Sequence, residues 1–417
     1  MSEYLNLRNV LDGVELPDYQ RIGMRDVFLN KKMLLAFDTG TGKTFTYAGI
    51  VRGLLNRSPG KKHLLIIIND SIEQVPIDVA NLTGVFVATC DGTAGAVGRL
   101  KRAWSESSIF CLTLEAMRVQ GVVLFLFEHL MEIESLVIDE AHHCANWDSS
   151  DTAFMVRSLA QHIPYVVELS ATPVTRTSKQ YFRLMNLLDR TRSMHKDETR
   201  LGKYVERYLP VNREDYEMKG NYTSTLITVE PTLKQMQPQH GVVFRNIKGS
   251  GATPQVEALV ECLKERIRDG KRAIVYVHYH DSRKWIEGHL DYHGITYTSL
   301  HGKIRKREDR TAALDRFKSG EVDVLITSVT ESLNIEADVV IFYEFTTLVK
   351  QVVGRAHRGL AGKELEVVFI ITKDTDEVEF FMKYIYARSL TIQKLLRKDY
   401  SELIAIGDKL KALELDD

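Results

Sequence analysis

At 417 residues the chain exceeds what one hydrophobic core ordinarily supports, so two domains of ordinary size are expected. Hydrophobic residues make up 44% and charged residues 27%, with a net charge of −1, which excludes a disordered or globally basic chain and leaves any nucleic-acid contact to a local patch. Four scattered cysteines without a C-x-x-C pair argue against a zinc site or a disulfide framework and read as buried thiols in a reducing compartment. No stretch approaches the roughly 18–20 uninterrupted apolar residues of a membrane span, and no basic-then-apolar leader opens the chain. The expectation is a cytoplasmic protein without a membrane anchor, or a viral protein acting in the host cytoplasm.

Leu16-Pro17-Asp18-Tyr19-Gln20-Arg21 precedes a helix expected over 22–28. The Gln20 amide can serve the adenine edge as donor and acceptor, which favours ATP, although a surface glutamine has the same letters. Residues 32–37 form an apolar, strand-like run that breaks into Asp38-Thr39-Gly40-Thr41-Gly42-Lys43-Thr44. A loop of this shape turns consecutive N–H groups toward one point at the start of the next helix and so cradles polyphosphate. Lys43 would reach the β- and γ-phosphates and Thr44 would hold Mg²⁺. Phe37 stands where the full G-x-x-x-x-G-K-T pattern has its first glycine, so the loop alone also suits a plain turn between strand and helix.

A helix follows over 45–55, then apolar strands at 63–68, 85–88 and 109–113, each separated by polar or helical segments, the pattern of a doubly wound α/β domain. The next strand ends in Asp139-Glu140-Ala141-His142, two adjacent carboxylates where open parallel sheets place their sites. Asp139 would bind Mg²⁺; Glu140 would orient and deprotonate the water attacking the γ-phosphate. A strand at 165–169 runs into Ser170-Ala171-Thr172-Pro173, whose hydroxyls can contact those carboxylates or simply make a turn before a helix.

Periodicity fades over 189–251 apart from the strand-like Thr225-Leu226-Ile227-Thr228-Val229, which places a connector at 191–252 between a first domain, 1–190, and a second, 253–395. The second domain repeats the alternation: a helix over 256–267, strands at 273–277, 295–298, 323–327 and 338–342, a helix from 349, a last strand at 365–371, and helix from 376 onward. In the tail, 396–417, Leu403, Ile406, Leu410 and Leu413 fall at near-helical spacing and either pack on the second domain or dock a protein partner.

Taken in order, Tyr19-Gln20, the Gly-Lys-Thr loop, Asp139-Glu140-Ala141-His142, Ser170-Ala171-Thr172 and Gln351-x-x-Gly354-Arg355-x-x-Arg358 resemble the motif set of the superfamily 2 helicases and translocases. Asn146 after the acidic box, the helix with Tyr181, Leu184, Asn186 and Leu187, and His301-Gly302 with Arg310 and Phe317 are similar to the SWI/SNF-type DNA-dependent ATPases. The resemblance implies two tandem RecA-like domains, each a mainly parallel sheet with helices on both faces, and an ATP site in the interdomain cleft. It implies ATP and Mg²⁺ as cofactors, with Tyr19, Gln20, Thr39, Gly40, Thr41, Gly42, Lys43 and Thr44 on the nucleotide. Gln351, Arg355 and Arg358 would stabilise the transition state, and His142, Ser170 and Thr172 would couple nucleotide state to movement. Nucleic acid, double-stranded DNA foremost, would lie on Ser71, Thr93 and Thr113 of the first domain and His280, His301, Lys303 and Thr327 of the second, through hydroxyls, N–H groups and a basic cluster. The resemblance departs at Ser332, where the family has glycine, and in the short connector. A monomeric motor is expected. A strand-separating DNA or RNA helicase and an ATP-gated binding switch are the rival functions.

Overall fold

The structure is a computed structural model that describes residues 7, 10–174, 179–188, 207–212, 222–231, 253–304, 306–328, 335–356 and 364–415. The chain divides into two compact units, residues 1–216 and 217–417, each built on one parallel sheet.

In the first unit the strands are β1 (Lys32–Phe37), β2 (Lys62–Ile67), β3 (Val87–Cys90), β4 (Ile109–Thr113), β5 (Ile133–Ile138), β6 (Tyr165–Leu169) and β7 (Tyr208–Val211). They lie in the order β3-β4-β2-β5-β6-β1-β7, all parallel. The helices are α1 (Asp18–Asn30), α2 (Lys43–Arg57), α3 (Val75–Thr83), α4 (Ala96–Trp104), α5 (Gln120–Glu128), α6 (Asp151–His162) and α7 (Lys179–Leu188). Strands buried on both faces need unbroken apolar runs, and Met33 to Phe37, His63 to Ile67 and Leu136 to Ile138 are accordingly inaccessible. Tyr19 and Gln20 lie inside α1, which begins directly after Pro17 rather than at residue 22.

In the second unit β8 (Tyr222–Val229), β9 (Ala273–Tyr276), β10 (Tyr297–Leu300), β11 (Val324–Thr327), β12 (Val339–Phe342) and β13 (Leu365–Thr372) lie in the order β10-β11-β9-β12-β13-β8, again all parallel. Its helices are α8 (Pro254–Arg268), α9 (His280–Tyr292), α10 (Arg307–Lys318), α11 (Val349–Ala356), α12 (Asp376–Phe380), α13 (Ala387–Leu396) and α14 (Ser401–Leu415). Val256, Leu259 and Leu263 of α8 pack with Val275, Ile326, Ile341 and Ile370 of the sheet. Two stretches of the segment read as a connector are strands: β7 edges the first sheet and β8 the second.

The expected continuous C-terminal helix is broken. A π-helical turn spans Phe381–Tyr386, and Arg397 takes a left-handed φ of 52° that ends α13. Leu403, Ile406 and Leu410 are buried, and Tyr386 donates to Asp408 at 2.6 Å, so α14 spends its apolar face on its own unit. All four cysteines are free and buried. Among the described residues no helix is long and apolar enough to cross a membrane.

Candidate nucleotide site

Strands β5, β6 and β1 are adjacent and parallel, so the loops leaving their C-terminal ends meet at one edge of the first sheet. These are the three loops that carry the glycine turn, the acidic pair and Ser170-Ala171-Thr172.

The glycine loop is pinned from several sides. Asp38 N–H donates to Val211 O of β7 at 3.1 Å, and Thr41 donates its hydroxyl to Asp38 O at 2.7 Å. Gly40 and Gly42 hold φ of 78° and 71°, the left-handed region that costs a side-chain-bearing residue. Gly42 caps α2, and no side chain covers the helix N-terminus, which leaves its N–H groups and dipole for an anion. A Cβ on Gly42 would lie 2.5 Å from Gln20 Nε2, so the turn fits only glycine.

Tyr19 and Gln20 serve this loop directly. Tyr19 donates its hydroxyl to Thr41 O at 2.8 Å; Gln20 Nε2 donates to Thr41 O at 2.9 Å and Gly42 O at 3.2 Å. The expected double use of the Gln20 amide on adenine is therefore halved: its nitrogen is committed to the loop, and its buried Oε1 has no hydrogen-bond partner among the described residues. An orphaned acceptor of this kind suits the amino group of adenine. Phe37, standing where the first glycine was expected, is fully buried edge-on to Tyr19 at 5.9 Å and packs beside Gly23. The left-handed turns of the loop thus rest on Gly40 and Gly42, with no third glycine before them.

Lys43 Nζ stands 3.5 Å from Glu140 Oε1, with side chains 13% and 6% exposed. Asp139 follows β5, its N–H on Ile66 O at 2.8 Å and its Oδ1 accepting Glu140 N–H at 3.0 Å. Glu140 has a left-handed φ of 47°, strain that aims its carboxylate at Lys43. His142 Nδ1 lies 3.5 Å from Glu140 Oε2 and 3.1 Å from Ser170 Oγ, which accepts Thr172 N–H at 3.2 Å. A continuous polar path joins the carboxylate to the β6 loop. Thr44 at the start of α2 and Asp139 are oxygen donors of the hard kind that suit Mg²⁺.

The remaining predicted residues are carried by other elements of each unit. Ser71 and Thr93 follow β2 and β3; Thr93 is exposed and gives its hydroxyl to Asp91 at 2.8 Å, whereas Thr113, ending β4, is fully buried with its oxygen on Ala116 N–H at 3.2 Å. In the second unit Thr327 ends β11 fully buried, His280 and His301 face each other with ring centres 5.4 Å apart, and Lys303 is exposed. Gln351 is buried in α11. Arg358, the side chain of Arg355 and the loop at Ser332 lie outside the described residues. Sequence reasoning missed Glu344, a buried carboxylate that organises the turn before His280; a lone acid between the aromatics Tyr343 and Phe345 was its only signal.

Two parallel α/β units, the first with a glycine loop whose lysine faces a carboxylate at the neighbouring strand ends, define the phosphate-loop ATPase class. Residues 13–175 match the type III restriction enzyme res subunit family, and residues 254–359 the helicase conserved C-terminal domain. Neither match spans half of the chain, and the two in this order support a superfamily 2 helicase or translocase of the ATP-hydrolysing type. RNA polymerase-associated protein RapA of Haemophilus influenzae is 25% identical over 300 residues, 66% of this chain and 30% of that protein. Dicer-like protein 2 of Aspergillus terreus is 25% identical over 232 residues, 49% of this chain and 16% of that protein. The chain spans less than a third of the length of these curated relatives. The Pyrococcus furiosus Hef helicase domain shares the fold, with a TM-score of 0.59 at 16% identity over 88% of this chain and 98% of that one.

Proposed function

We propose that the chain is an ATP- and Mg²⁺-dependent motor that translocates on nucleic acid, with double-stranded DNA as its track, and remodels DNA or protein–DNA complexes. The observation that carries the chemistry is Lys43 held 3.5 Å from Glu140 at the shared edge of β1 and β5. Lys43 neutralises the β- and γ-phosphates, the α2 N-terminus receives them, and Glu140 orients and deprotonates the attacking water. Thr44 and Asp139 would hold Mg²⁺, which when bound would supply charge neutralisation for the phosphates. Gln351, Arg355 and Arg358 take the transition-state role that the resemblance implies, and His142, Ser170 and Thr172 report the nucleotide state to the β6 loop.

The choice of duplex DNA rests on the SWI/SNF-like run of residues around Asn146, Asn186 and His301. Ser71 and Thr93 of the first unit, and His280, His301 and the exposed Lys303 of the second, suit a phosphate backbone and carry no base code, whereas Thr113 and Thr327 are fully buried and drop out of the expected contact set. ATPase turnover measured in parallel with duplex DNA, single-stranded DNA and RNA tests the reading. Stimulation by duplex is expected; stimulation by RNA alone overturns the DNA assignment, and negligible turnover with every nucleic acid makes the chain a binding switch.

A further inference from the structure

The turn between β9 and α9 presents His278, Tyr279 and His280, and its shape is set from the neighbouring strand. Glu344 follows β12 and is 1% exposed. Its Oε2 accepts the backbone N–H groups of His278 at 2.6 Å and Tyr279 at 2.9 Å, and its Oε1 accepts the Ser282 hydroxyl. The N–H groups of Tyr343 and Glu344 in turn donate to Tyr276 O at 3.2 and 3.4 Å, so backbone and side chain tie the same two segments together.

From Ser282 the connection continues. Arg283, one residue on, donates to Glu287 and lies 3.3 Å from His280 Nδ1. Glu287 accepts the Ser299 hydroxyl at 2.5 Å, and the His280 ring abuts His301. One set of contacts therefore runs from Glu344 to both histidines. In the other direction, residues 344–348 lead straight into α11, which carries Gln351 and Arg355.

We propose that Glu344 is the positioning residue that couples ATP turnover to the nucleic-acid grip of the second unit, by tying the segment entering α11 to the turn that presents His280. The proposal rests on the nucleic-acid motor reading. Burying a carboxylate costs free energy, and at Glu344 three donors, two backbone N–H groups and the Ser282 hydroxyl, offset it. Burial pushes Glu344 up to about 7 against the three donors, which pull it down. Among the described residues the titratable groups set against it are Tyr276 on β9 and Glu377 on α12, while the turn offers it the backbone N–H groups of His278 and Tyr279; Glu377 is itself pushed up to about 7 by burial. Above neutrality the ionised carboxylate makes three charge-assisted bonds and the turn is held; below it the neutral acid holds the turn weakly.

The test is full-chain ATPase turnover against random-sequence duplex DNA, single-stranded DNA and RNA from pH 6 to 8.5, for wild type, Glu344→Gln and Ser282→Ala. Glutamine keeps the shape and one good acceptor, so folding and basal turnover are expected to persist. Nucleic-acid stimulation at pH 8 should fall about five- to tenfold, and the wild-type inflection near neutrality in the half-stimulating concentration should vanish. Ser282→Ala, which removes one donor, should lose stimulation to a smaller extent and keep the inflection. If wild type responds to nucleic acid and Glu344→Gln matches it at every pH, the coupling role is overturned while the motor reading stands. A uniform loss with the inflection retained marks a merely structural residue and also overturns it. If no nucleic acid stimulates wild type, the motor reading fails and this inference falls with it.

Discussion

Replacing Glu140 with glutamine keeps the side chain's shape and removes its charge, which separates two jobs the carboxylate performs. In the structure Glu140 is the partner of Lys43 at 3.5 Å, both side chains largely buried. At an effective dielectric near 20 the gross attraction is roughly 5 kcal/mol, most of it offset by desolvation, leaving a net worth of about 1 kcal/mol. Triphosphate must draw the Lys43 ammonium away from this partner. Glu140→Gln removes the competitor, so ATP should bind about fivefold more tightly. Hydrolysis should fall by about 10²–10⁴, the contribution of a positioned general base. Nucleotide titration by calorimetry, with phosphate release under saturating nucleic acid, reads the two effects apart. Near-wild-type turnover refutes the base assignment; unchanged or weaker ATP binding refutes the competition between carboxylate and phosphate for Lys43.

Three further outcomes follow from particular residues. Gly42→Ala places a Cβ 2.5 Å from Gln20 Nε2 at a φ of 71°, so it should cost about 1–2 kcal/mol of stability and at least about tenfold in ATP affinity, read by thermal unfolding and nucleotide titration; wild-type affinity would remove the loop from the site. Arg358→Ala should keep ATP affinity and lose about 10³–10⁵ in kcat, and a parallel loss of binding would contradict a role confined to the transition state. Glu168→Leu should stabilise the first unit, because Glu168 is fully buried on β6 and neither oxygen has a hydrogen-bond partner among the described residues. The unpaired carboxyl costs about 1–3 kcal/mol, worth about 2–4 °C in melting temperature per kcal/mol for a unit of this size. Burial holds Glu168 well above the usual carboxyl range, so the wild type's stability is fully present below about pH 4.3 and is lost as pH rises toward the folded value, by at most about 1.4 kcal/mol per unit. The leucine variant's advantage should therefore widen from pH 5 to 8 in scanning calorimetry; a gap that stays flat would show Glu168 to be ionised and paired.

Most strands were legible because a parallel strand buried on both faces must be apolar throughout, as Leu64 to Ile67 and Val339 to Phe342 are. Errors gathered at the sheet edges. β3 pairs with β4 alone and starts at Val87, not at residue 85, leaving Phe86 exposed; β7 contains Pro210, tolerated because only β1 flanks it. The glycine loop and the acidic pair were legible because their chemistry is contiguous in the chain. The commitment of the Tyr19 hydroxyl and Gln20 nitrogen to the loop was not, since it depends on how α1 packs across it.

Two glutamates mark where sequence pattern stops being informative. Glu168 in Val-Val-Glu-Leu and Glu344 in Phe-Tyr-Glu-Phe both stand in apolar runs at the ends of buried strands, and both are almost inaccessible. Their surroundings make them opposites. Glu344 has left its strand and meets two backbone N–H groups and a hydroxyl of the turn after the adjacent β9, so its burial is offset by strong bonds. Glu168 is still within β6, where the backbone groups beside it are engaged with β1 and β5, and it is left with no donor among the described residues. Two residues past the last residue of a strand, as Glu344 is past Phe342, a carboxylate can organise the neighbouring loop; one residue before it, as Glu168 is before Leu169, the same carboxylate is a burden on the sheet. That distinction rests on which strand lies alongside, a property of the fold that no local run of letters carries.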